Sequence, residues 1–110
     1  MSDSTITAVR FYWRPGCGFC RALESDLARW DLPLDKHNIW EDPEAAATVR
    51  SIANGNETVP TLVIGPVKMV NPRASEVLAA LQEHAPHLVP EGAEAGSGGL
   101  GDKVRRLLGG

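Results

Sequence analysis

The only two cysteines of the chain lie two residues apart in the stretch WRPGCGFC, which spans residues 13–20. Two thiols in this spacing can cycle between a dithiol and a disulfide, and the thiolate is the reactive form. The same spacing is also found in half of many zinc sites. The motif alone therefore predicts either thiol–disulfide chemistry or metal binding, and the elements around it must decide.

The cysteines lie at a predicted junction between a strand and a helix. A run of β-branched and aromatic residues ends at Trp13, which is typical of a strand, and a Pro-Gly pair interrupts it. We predict a helix that begins at or near Cys17. Its apolar positions recur at spacings of three, four and three, as Cys20, Leu23, Leu27 and Trp30.

This periodicity makes the two cysteines inequivalent. Cys20 shares the apolar stripe and is predicted to face the core, whereas Cys17 is predicted to be exposed at the tip. The unpaired N–H groups of the first helical turn favour a negative charge there, so we expect the pKa of Cys17 to lie below its usual value of about 8.5. Arg14 and Arg21 either contribute to this effect or are solvated surface charges.

Composition sets the broad class of the protein. The chain has 110 residues, 43% of them hydrophobic, which is sufficient for one domain with a core. Its net charge of -3 does not support nucleic-acid binding, and its apolar runs are much shorter than the roughly 18 residues of a membrane span. The N-terminus lacks the features of a secretion signal. We therefore expect a cytoplasmic protein in a reducing compartment, bound to neither membrane nor nucleic acid.

The rest of the sequence predicts alternating strands and helices. Asp42-Pro43 and Asn71-Pro72 each have the pattern of an N-cap followed by proline at the first helical position. Strand-like runs lie near residues 34–40, 59–64 and 67–70. The predicted order is βαβαββα.

The composition changes near residue 89. We assign residues 1–88 to one domain and residues 89–110 to a glycine-rich flexible tail in which a short amphipathic helix is possible. The tail is interpreted either as a docking peptide or as a disordered end.

A zinc site is a weak alternative for the cysteine pair. A structural zinc needs four ligands, and the chain offers no second cysteine pair and only His37, His84 and His87 besides. We therefore predict no metal site. The tryptophans are interpreted as packing residues: Trp13, Trp30 and Trp40.

Three features together resemble glutaredoxins of the thioredoxin fold over residues 6–84. They are the cysteine pair after a strand, the sequence TVP at residues 58–60 before a hydrophobic strand, and the βαβαββα order. The resemblance implies an α/β fold with a central four-stranded mixed sheet flanked by three helices. It also implies a thiol–disulfide oxidoreductase with Cys17 and Cys20 as its catalytic residues.

Finer details are similar to the actinobacterial mycoredoxins. These are the sequence NGNETVPT at residues 54–61 and the later Asn71-Pro72. Glutaredoxins that use glutathione usually carry Gly-Gly and an acidic pair where residues 70–73 read VNPR. The resemblance therefore implies mycothiol as the reducing co-substrate, with glutathione less favoured and no tightly bound cofactor.

The same resemblance implies a substrate groove and a set of partners. Pro60 would be a cis-proline that leaves the backbone of Val59 to pair with the bound thiol. The residues implied to bind substrate are Arg14, Phe19, Thr58, Val59, Pro60, Asn71 and Ser75. The implied partners of a monomeric protein are mycothiol, mycothiolated client proteins and, indirectly, mycothiol disulfide reductase.

Two alternatives remain open. The first is a dithiol electron donor reduced by thioredoxin reductase, like the glutaredoxin-like donors of ribonucleotide reductase. Those proteins usually carry a WSGFRP stretch, which residues 67–73 do not contain. The second is a module in which two chains share an iron–sulfur cluster through Cys17.

Overall fold

The computed structural model describes residues 6–89, and within them it contains four strands, three α-helices and one short 3-10 helix. They are β1 (Val9–Trp13), α1 (Gly18–Ala28), β2 (Leu34–Asn38), α2 (Pro43–Ile52), β3 (Thr61–Ile64), β4 (Val67–Val70), α3 (Ala74–His84) and the 3-10 helix Pro86–Leu88. The predicted order βαβαββα is confirmed. The tail predicted for residues 89–110 lies outside the described residues, apart from Val89. No helix in residues 6–89 is long and apolar enough to cross a membrane.

The strands form one mixed sheet in the order β2-β1-β3-β4. β1 and β2 are parallel, and Trp13 lies opposite Asn38 where both strands end. β3 is antiparallel to β1, with Thr61 opposite Tyr12, and β4 is antiparallel to β3, with Val70 opposite Thr61. The last residues of β1, β2 and β4 and the first residue of β3 therefore lie together, at what we call the upper end of the sheet.

Helices cover both faces of this sheet. Phe11 is fully buried on one face, in a cluster with Leu27 of α1 and Leu81 of α3. Its neighbour Tyr12 points to the opposite face, as alternation along a strand requires, and packs in a second cluster with Val49 of α2. Fully burying one side chain of this size contributes about 1.5–3 kcal/mol, so the two cores fix the loops at the upper end.

The start of α2 follows its sequence signal. Asp42 is the N-cap, and its Oδ1 accepts hydrogen bonds from the backbone N–H groups of Glu44 at 3.0 Å and Ala45 at 3.3 Å. Pro43 occupies the first helical position, where a missing N–H costs nothing. Both features of the predicted cap are confirmed.

The predicted start of α3 is wrong. The helix begins at Ala74, and Arg73, not Asn71, occupies the N-cap position. Asn71 instead adopts a left-handed backbone with φ of 51°, and its N–H donates to the carbonyl of Pro60 at 2.7 Å. Asn71 and Pro72 thus belong to a turn that is held by a distant part of the chain, which a local pattern cannot reveal.

Two strands are shorter than predicted. β2 ends at Asn38, whose side-chain Oδ1 accepts a hydrogen bond from the N–H of Trp40 at 2.9 Å and turns the chain away from the sheet. β3 begins at Thr61, because Val59 and Pro60 form the loop that leads into it. These early strand ends leave loop residues free to approach the cysteines.

Candidate active site

Cys17 is the N-cap residue of α1, at the upper end of the sheet. Its backbone is extended, the helix begins at Gly18, and its Sγ accepts a hydrogen bond from the N–H of Cys20 at 3.1 Å. The two cysteines are joined as a disulfide, with their Cα atoms 5.2 Å apart. Cys20 lies on the buried face of α1 with Leu23 and Leu27. The predicted placement of the two cysteines on α1 is confirmed.

The predicted exposure of Cys17 is wrong. Cys17 is 6% exposed and Cys20 is 2% exposed, so both are buried in the disulfide form. Cys17 is covered partly by the loop before β3, since its Sγ lies 3.8 Å from the carbonyl oxygen of Val59. The two residues thus differ little in exposure in the disulfide form, and the assignment of Cys17 as the attacking thiol stays a prediction.

The loop beside Cys17 is held by hydrogen bonds at both sides of a cis peptide bond. The Val59–Pro60 bond is cis, as the resemblance implied, and Pro60 is fully buried. Thr61 Oγ1 donates to the carbonyl of Thr58 at 2.8 Å, and Asn71 N–H donates to the carbonyl of Pro60 at 2.7 Å. Val59 is thereby fixed with its carbonyl toward Cys17, while Thr58 is exposed.

A shallow groove of about 330 Å³ lies between α1 and the start of α3. Its lining residues are Phe19, Ala22, Leu23, Asp26, Asn71, Pro72, Arg73 and Ala74. The groove brings together two residues predicted to bind substrate, Phe19 and Asn71, which are far apart in the sequence. Neither cysteine lines the groove, and the other five residues predicted to bind substrate lie outside it: Arg14, Thr58, Val59, Pro60 and Ser75.

The backbone donors at the start of α3 are fewer than the sequence suggests. The N–H of Asn71 is bonded to Pro60, and the N–H of Arg73 donates to the side chain of Glu76 at 2.7 Å. Among residues 6–89, the N–H groups of Ala74 and Ser75 have no hydrogen-bond acceptor. Those two groups are the donors that a bound molecule can use.

Arg14 lies on the other side of the cysteines, next to Trp40. Its guanidinium carbon is 5.4 Å from the centre of the Trp40 ring, and its Nη1 donates to the carbonyl of Pro15 at 3.0 Å. The interpretation of Trp40 as a packing residue is wrong, because 63% of its surface is exposed. A signal for its location near the cysteines was available. Trp40 follows shortly after β2, which runs parallel to β1, and neighbouring parallel strands end at the same edge of a sheet.

The other predicted packing tryptophans behave differently. Trp13 and Trp30 are half-buried and pack against the cluster that contains Cys17. That interpretation is confirmed for both. Of the three tryptophans, Trp40 alone is a feature of the site that sequence reasoning missed.

Comparison with known proteins identifies the family. The model of the glutaredoxin family matches residues 9–68. The chain belongs to the glutaredoxin family. This glutaredoxin is also 35% identical over 75 residues to two proteins of Mycobacterium tuberculosis that carry the name glutaredoxin, from strains CDC 1551 and H37Rv. The match covers 67% of this chain and 89% of each relative.

Solved structures show the same fold. A thioredoxin-like protein superposes with a TM-score of 0.62 at 16% identity, over 70% of this chain and 97% of the other. The glutaredoxin of Archaeoglobus fulgidus superposes with a TM-score of 0.58 at 20% identity, over 69% of this chain and 87% of the other. The thioredoxin fold of this glutaredoxin is thus supported by structure as well as by sequence.

The geometry suits the activity of the family, which is thiol–disulfide exchange. When the disulfide of this glutaredoxin is reduced, the Cys20 N–H that contacts Cys17 Sγ is positioned to stabilise a thiolate there. The first turn of α1 contains no acidic residue that would oppose this charge. The backbone N–H of Arg21 donates to the carbonyl of Cys17 at 3.2 Å, but within residues 6–89 neither the Arg14 nor the Arg21 guanidinium forms a hydrogen bond or ion pair with Cys17. This glutaredoxin is a thiol–disulfide oxidoreductase.

Metal ligands are not grouped in the described part of this glutaredoxin. Residues 6–89 contain no cluster of three or more histidine, cysteine or carboxylate side chains that could hold a metal ion. His37, one of the candidate ligands, instead stacks on Tyr12 with ring centres 5.2 Å apart, on the sheet face covered by α2.

Proposed function

We propose that this glutaredoxin reduces mixed disulfides between mycothiol and proteins or small thiols, with Cys17 as the nucleophile. The observation that carries the proposal is the groove between α1 and α3, whose walls include Phe19 and Asn71. Mycothiol ends in a pair of sugars rather than in a γ-glutamyl carboxylate. The amide of Asn71 and the N–H group of Ala74, which both belong to groove-lining residues, are hydrogen-bonding partners suited to sugar hydroxyl groups.

The loop before β3 would hold the part of mycothiol nearest to the sulfur. Val59 lies beside Cys17, and its backbone would pair with the amide of the bound thiol in the manner of a short added strand. Thr58 is exposed next to it and would extend this wall, while the buried Pro60 fixes its position.

The reaction proceeds in two exchanges. The Cys17 thiolate attacks the mycothiol sulfur of the mixed disulfide, a bond forms between these two sulfurs, and the client leaves as a thiolate that takes up a proton. A second mycothiol, as its thiolate, attacks the mycothiol sulfur held on Cys17 and releases the Cys17 thiolate together with mycothiol disulfide. The electron pair delivered to the substrate therefore comes from the second mycothiol.

Cys20 provides a second route. Its thiolate can attack Cys17, release mycothiol and close the disulfide that the structure contains. The first route needs Cys17 alone and the second needs both cysteines. We propose that the first route dominates with mycothiolated substrates.

The proposal also covers the oligomeric state of the protein, its location and its source of electrons. The protein works as a monomer in the cytoplasm with no tightly bound cofactor. Mycothiol is its reducing co-substrate, and mycothiol disulfide reductase regenerates that thiol indirectly.

Coupled reduction tests the proposal. The purified protein is assayed on one mixed disulfide with three reducing systems: mycothiol with its reductase, thioredoxin reductase alone, and glutathione with its reductase. We expect kcat/KM with mycothiol to exceed the other two by at least about tenfold, the effect of one or two hydrogen bonds in the groove. Comparable or faster turnover with thioredoxin reductase would overturn the proposal in favour of a dithiol electron donor.

A further inference from the structure

The disulfide has two different flanks. In the strand order β2-β1-β3-β4, the upper end of the sheet presents Trp40 after β2, Cys17 after β1, Val59–Pro60 before β3 and Asn71 after β4. Asn71 and the groove lie on the β4 side. Trp40, with Arg14 stacked over it, lies on the β2 side.

A mixed disulfide also has two halves, which diverge from the attacking sulfur. If the small thiol occupies the β4 side, the client must leave by another path. The β2 side is the flank that the small-thiol groove does not occupy, since neither Trp40 nor Arg14 lines that groove. This step rests on the proposed reduction of mixed disulfides, but not on which small thiol is involved.

Large apolar side chains are exposed selectively around the disulfide. Among residues 6–89, the exposed large hydrophobic residues are Phe19 at 70%, Trp40 at 63% and Val70 at 42%. Phe19 lies in the first turn of α1, Trp40 follows β2 and Val70 ends β4, so all three lie at the upper end of the molecule. Phe19 and Val70 lie on the β4 side, and Trp40 is the exposed large apolar side chain on the β2 side within the described residues.

Arg14 on the β2 flank is one of five cations without an ion pair within the described residues, the others being Arg10, Arg21, Lys68 and Arg73. The chain directly after Trp40 carries the acidic residues Glu41 and Asp42. The cations Arg29, Lys36 and Arg50 each form an ion pair with a carboxylate. Arg14 forms none within residues 6–89, and only one of its five N–H donors is used, by the carbonyl of Pro15. Its guanidinium lies over the Trp40 ring and keeps donors available for an incoming carboxylate.

We propose that Trp40 and Arg14 form the docking surface for the client half of the substrate, a protein segment with an acidic side chain next to its modified cysteine. Trp40 provides rigid apolar contact area for the segment. Arg14 pairs with the acidic side chain and thereby selects among clients. In this proposal Arg14 contacts the client, whereas the resemblance implied that it contacts the small thiol.

Two peptide substrates test this docking surface. Each carries one cysteine as a mixed disulfide with mycothiol, flanked by glutamates in one peptide and by lysines in the other. We expect the wild-type protein to reduce the acidic peptide with kcat/KM about fivefold higher. We expect Arg14→Gln to reduce this ratio to less than about twofold. The ratio cancels any effect of Arg14 on the thiol, because both peptides meet the same Cys17.

A third substrate, the mixed disulfide of mycothiol with mercaptoethanol, isolates the contribution of Trp40. Trp40→Ala should lower kcat/KM on the acidic peptide about fivefold more than on this small disulfide, as expected when an apolar anchor is truncated. The matched control is Lys68→Gln, which removes one positive charge from β4, away from the cysteines, and should keep the wild-type ratio between the peptides.

The outcomes separate this inference from the proposed function. Equal rates on both peptides in the wild type, or an unchanged ratio in Arg14→Gln, would overturn the docking surface while leaving the reduction of mycothiol disulfides intact. If glutathione supports faster turnover than mycothiol, the same peptides are prepared as glutathione disulfides. A preference for the acidic peptide there would support the docking surface even though the choice of mycothiol had failed.

Discussion

The helices α1 and α2 begin with different chemistry. At α2 the carboxylate of Asp42 caps the helix with two hydrogen bonds, and Glu44 adds an acidic side chain to the first turn. At α1 the cap is the sulfur of Cys17, which accepts one N–H bond from Cys20, and the first turn has no acidic residue. The positive end of α2 therefore interacts with the carboxylate of Asp42. The positive end of α1 interacts with a sulfur that is neutral in the disulfide and negative as a thiolate.

The difference separates a stabilising helix start from a reactive one. A carboxylate or hydroxyl is among the best N-caps, whereas sulfur is a weak hydrogen-bond acceptor. The sulfur cap therefore stabilises α1 less than an oxygen cap would. The N–H groups and the dipole at the start of α1 remain available to stabilise a thiolate. Substitutions at the two caps should consequently affect different properties.

The largest effect is expected at the reactive cap. Cys17→Ser should abolish reduction of a mycothiol mixed disulfide, because a serine hydroxyl does not replace a thiolate as nucleophile. Cys20→Ser should retain substantial activity, because the first exchange route requires Cys17 alone. The measurement is kcat/KM on one mixed disulfide with excess mycothiol. Equal losses in the two variants would contradict the single-thiol route.

Folding must be checked for the same pair. Cys20 is the more deeply buried, so Cys20→Ser places a hydroxyl among Leu23 and Leu27. Thermal unfolding of both variants shows whether any loss of activity follows from unfolding. Cys20→Ala, which adds no polar group, is the matched control for the chemical role of the second thiol.

An intermediate effect is expected at the stabilising cap. Asp42→Ala removes both cap hydrogen bonds and should lower the free energy of unfolding by about 1 kcal/mol. It should leave kcat/KM unchanged, since Asp42 acts at the start of α2. Denaturant unfolding of the reduced protein measures the change. Asp42→Asn keeps an acceptor oxygen and should be nearly neutral; a loss equal to that of alanine would assign the effect to charge instead of hydrogen bonding.

The two caps also show which features of the molecule could be predicted from its sequence. Asp42 was predicted as a cap, and α1 was predicted to begin at or near Cys17, both from local signals, because a cap and its partners lie within three residues of one another. The buried stripe of α1 was predicted for the same reason. The start of α3 was not, because a contact between Asn71 and Pro60 from a different part of the chain overrides the local signal.

The candidate site divides in the same way. The placement of Cys17 on α1 follows from local sequence, but its burial depends on Val59, which reaches it from the loop before β3. The exposure of Trp40 depends on the loop that follows β2, where periodicity gives no information. The partners in the groove, Phe19 and Asn71, meet only once the sheet is assembled. The position of the cysteines relative to α1 could thus be predicted from the sequence. The side chains that surround them could not, because these come from parts of the chain that meet only in the folded structure.

The smallest effect is expected in the stability of the reactive cap. In the reduced state, Cys17→Ser replaces a weak sulfur acceptor with a favoured capping hydroxyl, so the free energy of unfolding should rise by about 0.5 kcal/mol. Cys17→Ala removes the acceptor and should fall below the reduced wild type. Denaturant unfolding under reducing conditions keeps the disulfide of the wild type from masking the difference. A serine variant less stable than the reduced wild type would mean that Cys17 is held by packing against the loop at Val59 more than by its cap. The serine variant would then lose stability as well as activity. In that case the cysteine at the N-cap would not lower the free energy of unfolding relative to serine.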